Sequence, residues 1–458
     1  MNENEILKTI GKIADQQKVS VWAVGGFVRD KILNKNVKDI DFAVVGSGTD
    51  FARVVAKKLA NSSLVIYEKF GTAMVNYMDY KLEFVGTRTE KYADDSRKPI
   101  VVESTLDDDL LRRDFTINAI ALGINKNNFG EIYDPLNGRD DIKKKIIRTP
   151  LDPEITFKDD PLRIMRAIRF ATQLQFDISP ETYLALKKMC RRLKIISQER
   201  ITEEIMKILD AEKPSLGFSL LDEAGILELI LPEITNMKGV EQRQDYHHKD
   251  VFKHTLMVVD NMAEVTEKRE LRFAALLHDV GKPATKRFVP NQGWTFHGHD
   301  EIGARGIPQI CQRLKLPNQF AKYVERLTRL HMRPISLSEE SVTDSAMRRL
   351  IVQAEEALPD LLLLCRADIT SHNPQRVQKH LANFDYVVQR LQEVEEKDQL
   401  RAFQSPVRGD EIMKICQLAP GPKVGKIKKM IEEAILDGII ANDHEAAFQY
   451  LLKIKDTV

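Results

Sequence analysis

Near residue 157 the spacing of apolar residues changes from every second position to every third or fourth. A chain that does this must build two unlike kinds of layer. Before that point, Val21 to Val24, Ile40 to Val45, Leu64 to Ile66, Ala73 to Tyr77, Lys81 to Val85 and Ile117 to Ile124 read as strands, because side chains two apart share one face of a sheet. Met1 to Lys18 reads as a polar amphipathic helix, and another helix opens at Asp50–Phe51 and runs to Ala60. Beyond residue 157, Leu162, Met165, Ile168, Arg169 and Thr172 fall on successive turns of a helix, and alternation becomes scarce. The pattern predicts an α+β chain: a head with a mixed, mostly antiparallel sheet, then all-α segments. A length of 458 residues exceeds one ordinary core. The expected division is head 1–150, helical neck 151–240, helical body 241–385 and helical tail 386–458, with charged Glu393 to Lys397 near the last boundary.

Composition narrows the class. No apolar run approaches membrane length and no basic–apolar–small leader opens the chain. Cys190, Cys311, Cys365 and Cys416 are widely spaced without a CxxC pattern, so reduced thiols and a cytoplasmic location are expected. The net charge of +1 means that any nucleic acid must be held by local basic patches. All ten histidines follow Tyr246, and nine lie between His247 and His380, which marks residues of the body as metal-oriented.

Two short motifs in the head carry chemistry. Val24-Gly25-Gly26-Phe27-Val28-Arg29-Asp30 follows a strand and opens a helix, where glycine lets a ligand approach backbone N–H groups and Arg29 can add a charge to the same phosphate. A tight turn alone would read the same way. Asp39-Ile40-Asp41 decides more, because carboxylates two apart on a strand point to one side and repel unless a cation sits between them. Oxygen ligands with open positions suit Mg²⁺ bound also to substrate phosphates. Glu83, in the strand Lys81 to Val85, is the candidate third carboxylate.

Gly25-Gly26-x-x-Arg29-Asp30 followed by Asp39-x-Asp41 resembles the polymerase-beta-like nucleotidyltransferases, specifically the bacterial class II tRNA nucleotidyltransferase (CCA-adding) and poly(A) polymerase family. The order continues through Leu111-Arg112-Arg113-Asp114-Phe115-Thr116-Ile117-Asn118-Ala119, Asp134-Pro135-Leu136-Asn137-Gly138, Asp159-Asp160-Pro161-Leu162-Arg163-Ile164-Met165-Arg166, and Ser197-Gln198-Glu199-Arg200-Ile201 with Glu204. The resemblance implies a head that binds CTP and ATP with Mg²⁺ on Asp39 and Asp41. It implies that Arg113 and Asp114 hold triphosphate and ribose, braced by Asn118, and that the neck helix with Asp160, Arg163 and Arg166 reads the base. The family has Glu-Asp where this chain has Asp159-Asp160. Cytosine and adenine both present an amine donor beside a ring-nitrogen acceptor, so a carboxylate beside a guanidinium fits them and rejects uracil and guanine. Asp160 and Arg163, three apart, are expected on one helix face, where an i,i+3 surface ion pair is the plain alternative. Glu90 to Glu103 is expected as a loop beside the site.

A second constellation lies in the body. His254, His278-Asp279, His299, His331 and Asp368 each sit at the polar edge of an apolar helical stretch. Burying them without a cation would be costly, whereas imidazole with carboxylate suits Mn, Fe, Ni or Zn. The set resembles the HD phosphohydrolase superfamily, which implies His254, His278, Asp279 and Asp368 as core ligands, His299 and His331 for a second metal, and hydrolysis of phosphomonoesters or 2′,3′-cyclic phosphates. A metal-free scaffold that binds RNA is the alternative. For RNA backbone contacts the candidates are Lys187 and Arg191, and Lys423 and Lys426 after a Pro-Gly-Pro turn; they imply recognition of the tRNA acceptor–TΨC arm by shape. A poly(A) polymerase, an enzyme adding only A or only C, and an HD hydrolase with a merely nucleotide-binding head are the competing functions.

Overall fold

The computed structural model describes residues 2–68, 71–91, 100–103, 105–241, 250–290, 293–337, 343–370, 374–398 and 405–455. The chain divides into two compact units, Met1–Ile230 and Leu231–Val458. Among the described residues no helix is long and apolar enough to cross a membrane.

The first unit carries strands β1 (Val21–Val24), β2 (Asp39–Val44), β3 (Ser63–Tyr67), β4 (Thr72–Tyr77), β5 (Tyr80–Gly86), β6 (Arg88–Lys91), β7 (Ile100–Glu103), β8 (Ala121–Gly123) and β9 (Ile132–Tyr133). Seven of them form one sheet in the order β3-β4-β5-β2-β1-β8-β9. Only β2 and β5 are parallel; the other neighbours are antiparallel, as the alternation predicts. Ile40, Phe42 and Val44 are buried, with Phe42 stacked on Phe84 at 4.9 Å. On that face Phe51 of α3 (Gly48–Lys58) meets Phe84 edge-on; α1 (Glu3–Gln17) precedes β1 and α2 (Gly26–Ile32) follows it.

The expected strand Ile117 to Ile124 is corrected: Thr116–Asn118 is a 3₁₀ turn and only Ala121–Gly123 is extended. The Asn118 side chain closes that turn by bonding Asp114 and Arg29, which a strand would not allow. Within the expected loop Glu90 to Glu103, β6 pairs with β7, and residues 92–99 lie outside the described residues.

Helices α4 (Leu106–Leu111) and α5 (Gly138–Lys144) complete the head, and α6 (Pro153–Asp159), α7 (Leu162–Leu174), α8 (Pro180–Met189) and α9 (Gln198–Leu209) follow. Pro161 separates α6 from α7. Asp160, before it, is extended at φ −135° and ψ 100°, as the clash with a following proline ring requires. The buried pair Arg169–Glu204, 3.1 Å apart, joins α7 to α9.

In the second unit, helices Val251–Val265, Arg269–Leu277, His299–Arg313, Asn318–Leu330 and Leu358–Asp368 surround the histidines. Helix Pro374–Asp398 runs through residues 385 and 386. A separate apolar cluster, including Val407, Ile427, Ile431 and Leu451, holds the last three helices.

Candidate active sites

The first unit contains a cleft of about 570 Å³ in which Gly25, Asp41, Arg113, Asp114, Asn118, Asp160, Arg163 and Arg166 converge. Gly26 and Arg29 line it too. In the parallel pair, Asp39 lies beside Lys81 and Asp41 beside Glu83, so Asp39, Asp41 and Glu83 share one sheet face. Burial holds the Asp41 carboxyl above its usual range; Arg113 opposes the shift and Asp39 adds to it. A buried acid crowded by a second acid is relieved by a cation, so the donor set fits Mg²⁺. Gly25 takes φ +75°, and a Cβ there would stand 2.9 Å from Arg113 Nη1 and 3.2 Å from Asp41 Oδ2. Glycine is what lets β1 turn into α2 against both groups.

Seven arginines line the cleft, far more positive charge than an apolar pocket tolerates without an anionic ligand. Most are held by their own acids. Asp109, 2% exposed, receives Arg112 on Oδ1 and Arg113 on Oδ2, and those guanidiniums hold its carboxyl down against burial. Arg166 binds Asp114 Oδ2 through Nε at 2.8 Å and Nη2 at 2.5 Å, and Asn118 donates to Asp114 Oδ1 at 3.0 Å. Burial alone would raise Asp114; Arg166 and the Asn118 amide outweigh it and bring its carboxyl to about 2. Arg29 donates to Asp30 and to Asn118 Oδ1, so it braces the turn that presents Asn118.

The geometry around Asp160 differs from the expected helix face. Asp160 precedes α7, because Pro161 forces its backbone to be extended, and its Oδ1 accepts the Leu162 N–H at 3.1 Å. Its Oδ2 faces Arg200 Nη2 of α9 at 3.3 Å. Arg163, on the first turn of α7, donates from Nη2 to the Arg112 carbonyl at 2.5 Å. The two groups share the cleft without forming the i,i+3 surface pair.

Arg112, Arg169 and Arg200 line the cleft and Asp109 holds two of its arginines from behind, roles that sequence reasoning left unassigned. For Asp109 a signal was present: arginines three and four positions on, on one helix face. Asp114→Asn is expected to destabilise the first unit by about 2 kcal/mol at pH 7, since the native-state carboxyl sits about two units below its usual value. The sign follows from a lowered carboxyl: the stabilisation is present above pH 4 and is lost as pH falls toward 2. Urea titration read by Trp22 in a Trp294→Phe background checks it; an unchanged midpoint would refute it.

The second unit gathers all six expected ligands. His254, His278 and Asp368 form one group and Asp279, His299 and His331 another, each with ligand atoms within 4.8 Å of one another. His254 Nε2 lies 2.8 Å from Asp368 Oδ1, His278 Nε2 3.2 Å from Asp279 Oδ2, and His299 Nε2 3.4 Å from Asp279 Oδ1. The far nitrogens are engaged behind: Nδ1 of His278, His299 and His331 each faces a backbone carbonyl at 2.7 or 2.8 Å. That fixes their protons on Nδ1 and aims Nε2 inward, the arrangement of metal-binding imidazole. Gly281 has its part here, since a Cβ would fall 2.1 Å from the His299 carbonyl oxygen.

Burial would lower His278, but Asp279 and Asp368 outweigh it and push the imidazole up to about 10, while both carboxyls are held well below their usual range. Buried His278 Nε2 and Asp279 Oδ1 lack a hydrogen-bond partner among the described residues. One orphaned atom in each ligand group fits divalent cations at the two groups.

Lys187 and Arg191 belong to the first unit, and Lys423 and Lys426 to the second. Lys187 and Arg191 are exposed at the end of α8 and in the turn after it, whereas Lys188 binds Glu154 and Arg192 the Lys158 carbonyl. Lys423 and Lys426 are exposed on the helix Pro422–Leu436.

Residues 21–148 match the poly A polymerase head domain, 175–238 the probable RNA and SrmB-binding site of polymerase A, and 251–373 the HD domain. The A-adding tRNA nucleotidyltransferase of Deinococcus radiodurans is 32% identical over 433 residues, which cover 92% of this chain and 93% of that protein. The chain belongs to the tRNA nucleotidyltransferase and poly(A) polymerase family. Another member, the multifunctional CCA protein of Aliivibrio salmonicida, is 31% identical over 86% of this chain and 97% of its own length. The fold is that of a solved relative, the Bacillus stearothermophilus CCA-adding enzyme in complex with CTP, at 24% identity and a TM-score of 0.69 over 100% of this chain and 99% of that one. As in the family, a nucleotidyltransferase head precedes helical segments and an HD domain.

Proposed function

We propose that this family member adds C, C and A to tRNA 3′ ends from CTP and ATP, without a nucleic-acid template, in the cytoplasm. The observation that carries the reading is one cleft in which Asp41, a crowd of arginines, Asp160 and Arg163 all take part. Head, neck, body and tail then correspond to nucleotide chemistry, base choice, the HD site and RNA binding.

The 3′-hydroxyl oxygen attacks the α-phosphorus as its proton passes to solvent, the bond to the bridging oxygen breaks, and pyrophosphate leaves. Mg²⁺ held by Asp39 and Asp41, with Glu83 beside them, would supply charge neutralisation and a more acidic hydroxyl. Arg113, fixed by Asp109, faces the phosphates; Asp114 and Asn118 face the ribose. Asp160 accepts from the base amine and Arg163 donates to the ring nitrogen. A uracil or guanine would leave both charged groups mispaired in the cleft. Lys187, Arg191, Lys423 and Lys426 contact the acceptor–TΨC backbone.

Arg163→Ala is expected to lower CTP and ATP incorporation roughly tenfold or more and to raise the relative use of UTP and GTP. Single-turnover incorporation of each nucleotide measures both. Unchanged selectivity would remove the base-reading role. The Deinococcus radiodurans relative favours a second reading, addition of A alone.

The second unit is read as an HD phosphohydrolase that trims phosphates from RNA 3′ ends, with Mn, Fe, Ni or Zn held by His254, His278, Asp279, His299, His331 and Asp368. Water supplies the entering oxygen and the ribose oxygen leaves.

A further inference from the structure

Between Asp279 and His299 a hairpin interrupts the helices, with Arg287–Val289 paired to Gly293–Thr295. Gly293 provides φ +81° at its turn. Phe288 and Trp294 are register partners, so both side chains emerge on one face, and their rings meet at 5.3 Å and 75°. Lys286, two residues before Phe288, places Nζ 4.2 Å from the Trp294 ring centroid. Phe296, two residues past Trp294, leads into the metal cluster: its carbonyl faces His299 Nδ1 at 2.8 Å. The Phe296 ring lies 5.7 Å from Lys282 Nζ, which itself stands 2.6 Å from Asp279 Oδ2. An aromatic and cationic strip therefore ends at the ligands.

A cross-strand aromatic pair stabilises a hairpin by itself, but that purpose is best served by burying the rings. Phe288 is 50% exposed, and lysines are laid against the rings. Aromatic faces beside cations are what an unpaired nucleotide needs: stacking for the base and positive charge for its phosphate, with little preference among bases. The metal ligands alone recognise phosphate, so the aromatic strip adds affinity only when a base is attached to it.

We propose that this hairpin, with Phe288, Trp294 and Phe296, is a stacking platform for the terminal nucleobase of an RNA 3′ end whose 2′- or 3′-phosphate reaches the HD cluster. The proposal deepens the hydrolase reading and rests on it for the role of the phosphate.

The test separates the two. Trp22 and Trp294 are the two tryptophans, so Trp22→Phe leaves Trp294 as the reporter in the full chain. Without added metal, 3′-AMP should quench Trp294 in a saturable way and glycerol 2-phosphate, which has no base, should not. Equal responses, or none, would overturn the platform. With metal loaded, Trp294→Ala and Phe288→Ala should each raise KM for 3′-AMP roughly tenfold and leave glycerol 2-phosphate unchanged, whereas Trp294→Phe should keep the native KM for both. An equal loss on both substrates would also overturn it. A native chain that hydrolyses neither substrate, yet is quenched by 3′-AMP, would retire the hydrolase and keep the platform.

Discussion

Asp41→Asn is expected to reduce nucleotide incorporation at least roughly a thousandfold while leaving the metal-free protein as stable as the native chain, or more so. The two effects have opposite signs for one reason. Asp41 is half-buried at the edge of the cleft and shares its sheet face with Asp39 and Glu83. Burial raises its carboxyl, and Asp39 reinforces the shift against Arg113. A carboxyl raised in the folded state favours the fold at low pH and works against it as pH rises through the folded value. At neutral pH without a cation, the charged Asp41 therefore costs stability, and asparagine removes that cost. Melting curves in chelator at pH 7 should show the variant at or above the native midpoint, and added Mg²⁺ should raise only the native one. Retained incorporation, or a Mg²⁺ shift that survives the substitution, would contradict the assignment.

Asp279→Ala should lower transition-metal affinity at least roughly a hundredfold and abolish hydrolysis of 2′,3′-cyclic AMP. Asp279 belongs to the group of His299 and His331 and also faces two histidines of the other group. Its Oδ2 faces His278 at 3.2 Å and His254 at 3.5 Å, and its Oδ1 faces His299 at 3.4 Å and His331 at 3.7 Å. Lys282 lies against Oδ2 as well. Removing this carboxylate leaves Asp368 to balance four imidazoles and a lysine in a buried space, so the metal-free unit should also lose about 3–5 kcal/mol. Elemental analysis of the purified chain and calorimetric melting read the two effects. Unaltered metal content would mean that the cluster is scaffold.

How far the residues could be read in advance depended on the range of the contact. Asp39 and Asp41 were legible because strand alternation puts them on one side without reference to anything else, and β5 then supplies Glu83 in register. The histidines were legible through their order, although the sequence does not say that three carbonyls fix their tautomers. Asp160 was placed on a helix face with Arg163 because periodicity is blind to Pro161, which ends one helix and starts the next. Its true neighbour, Arg200, comes from a helix forty residues on. Asp109 is one acid among three on α4, told apart in the sequence by the arginines three and four positions on and in the structure by its burial, whereas Asp107 is exposed. The hairpin Arg287–Val289/Gly293–Thr295 was missed for the opposite reason, since two three-residue strands are too short to show a period.

The cleft around Asp41 should add C, C and A, in that order, to a tRNA 3′ end. A tRNA transcript ending at the base before CCA, offered each nucleotide singly and then CTP with ATP, tests it most directly. Two additions are expected from CTP alone, none from ATP, UTP or GTP alone, and three from CTP with ATP. Extension by ATP alone, or A addition only to a transcript already ending in CC, would contradict it.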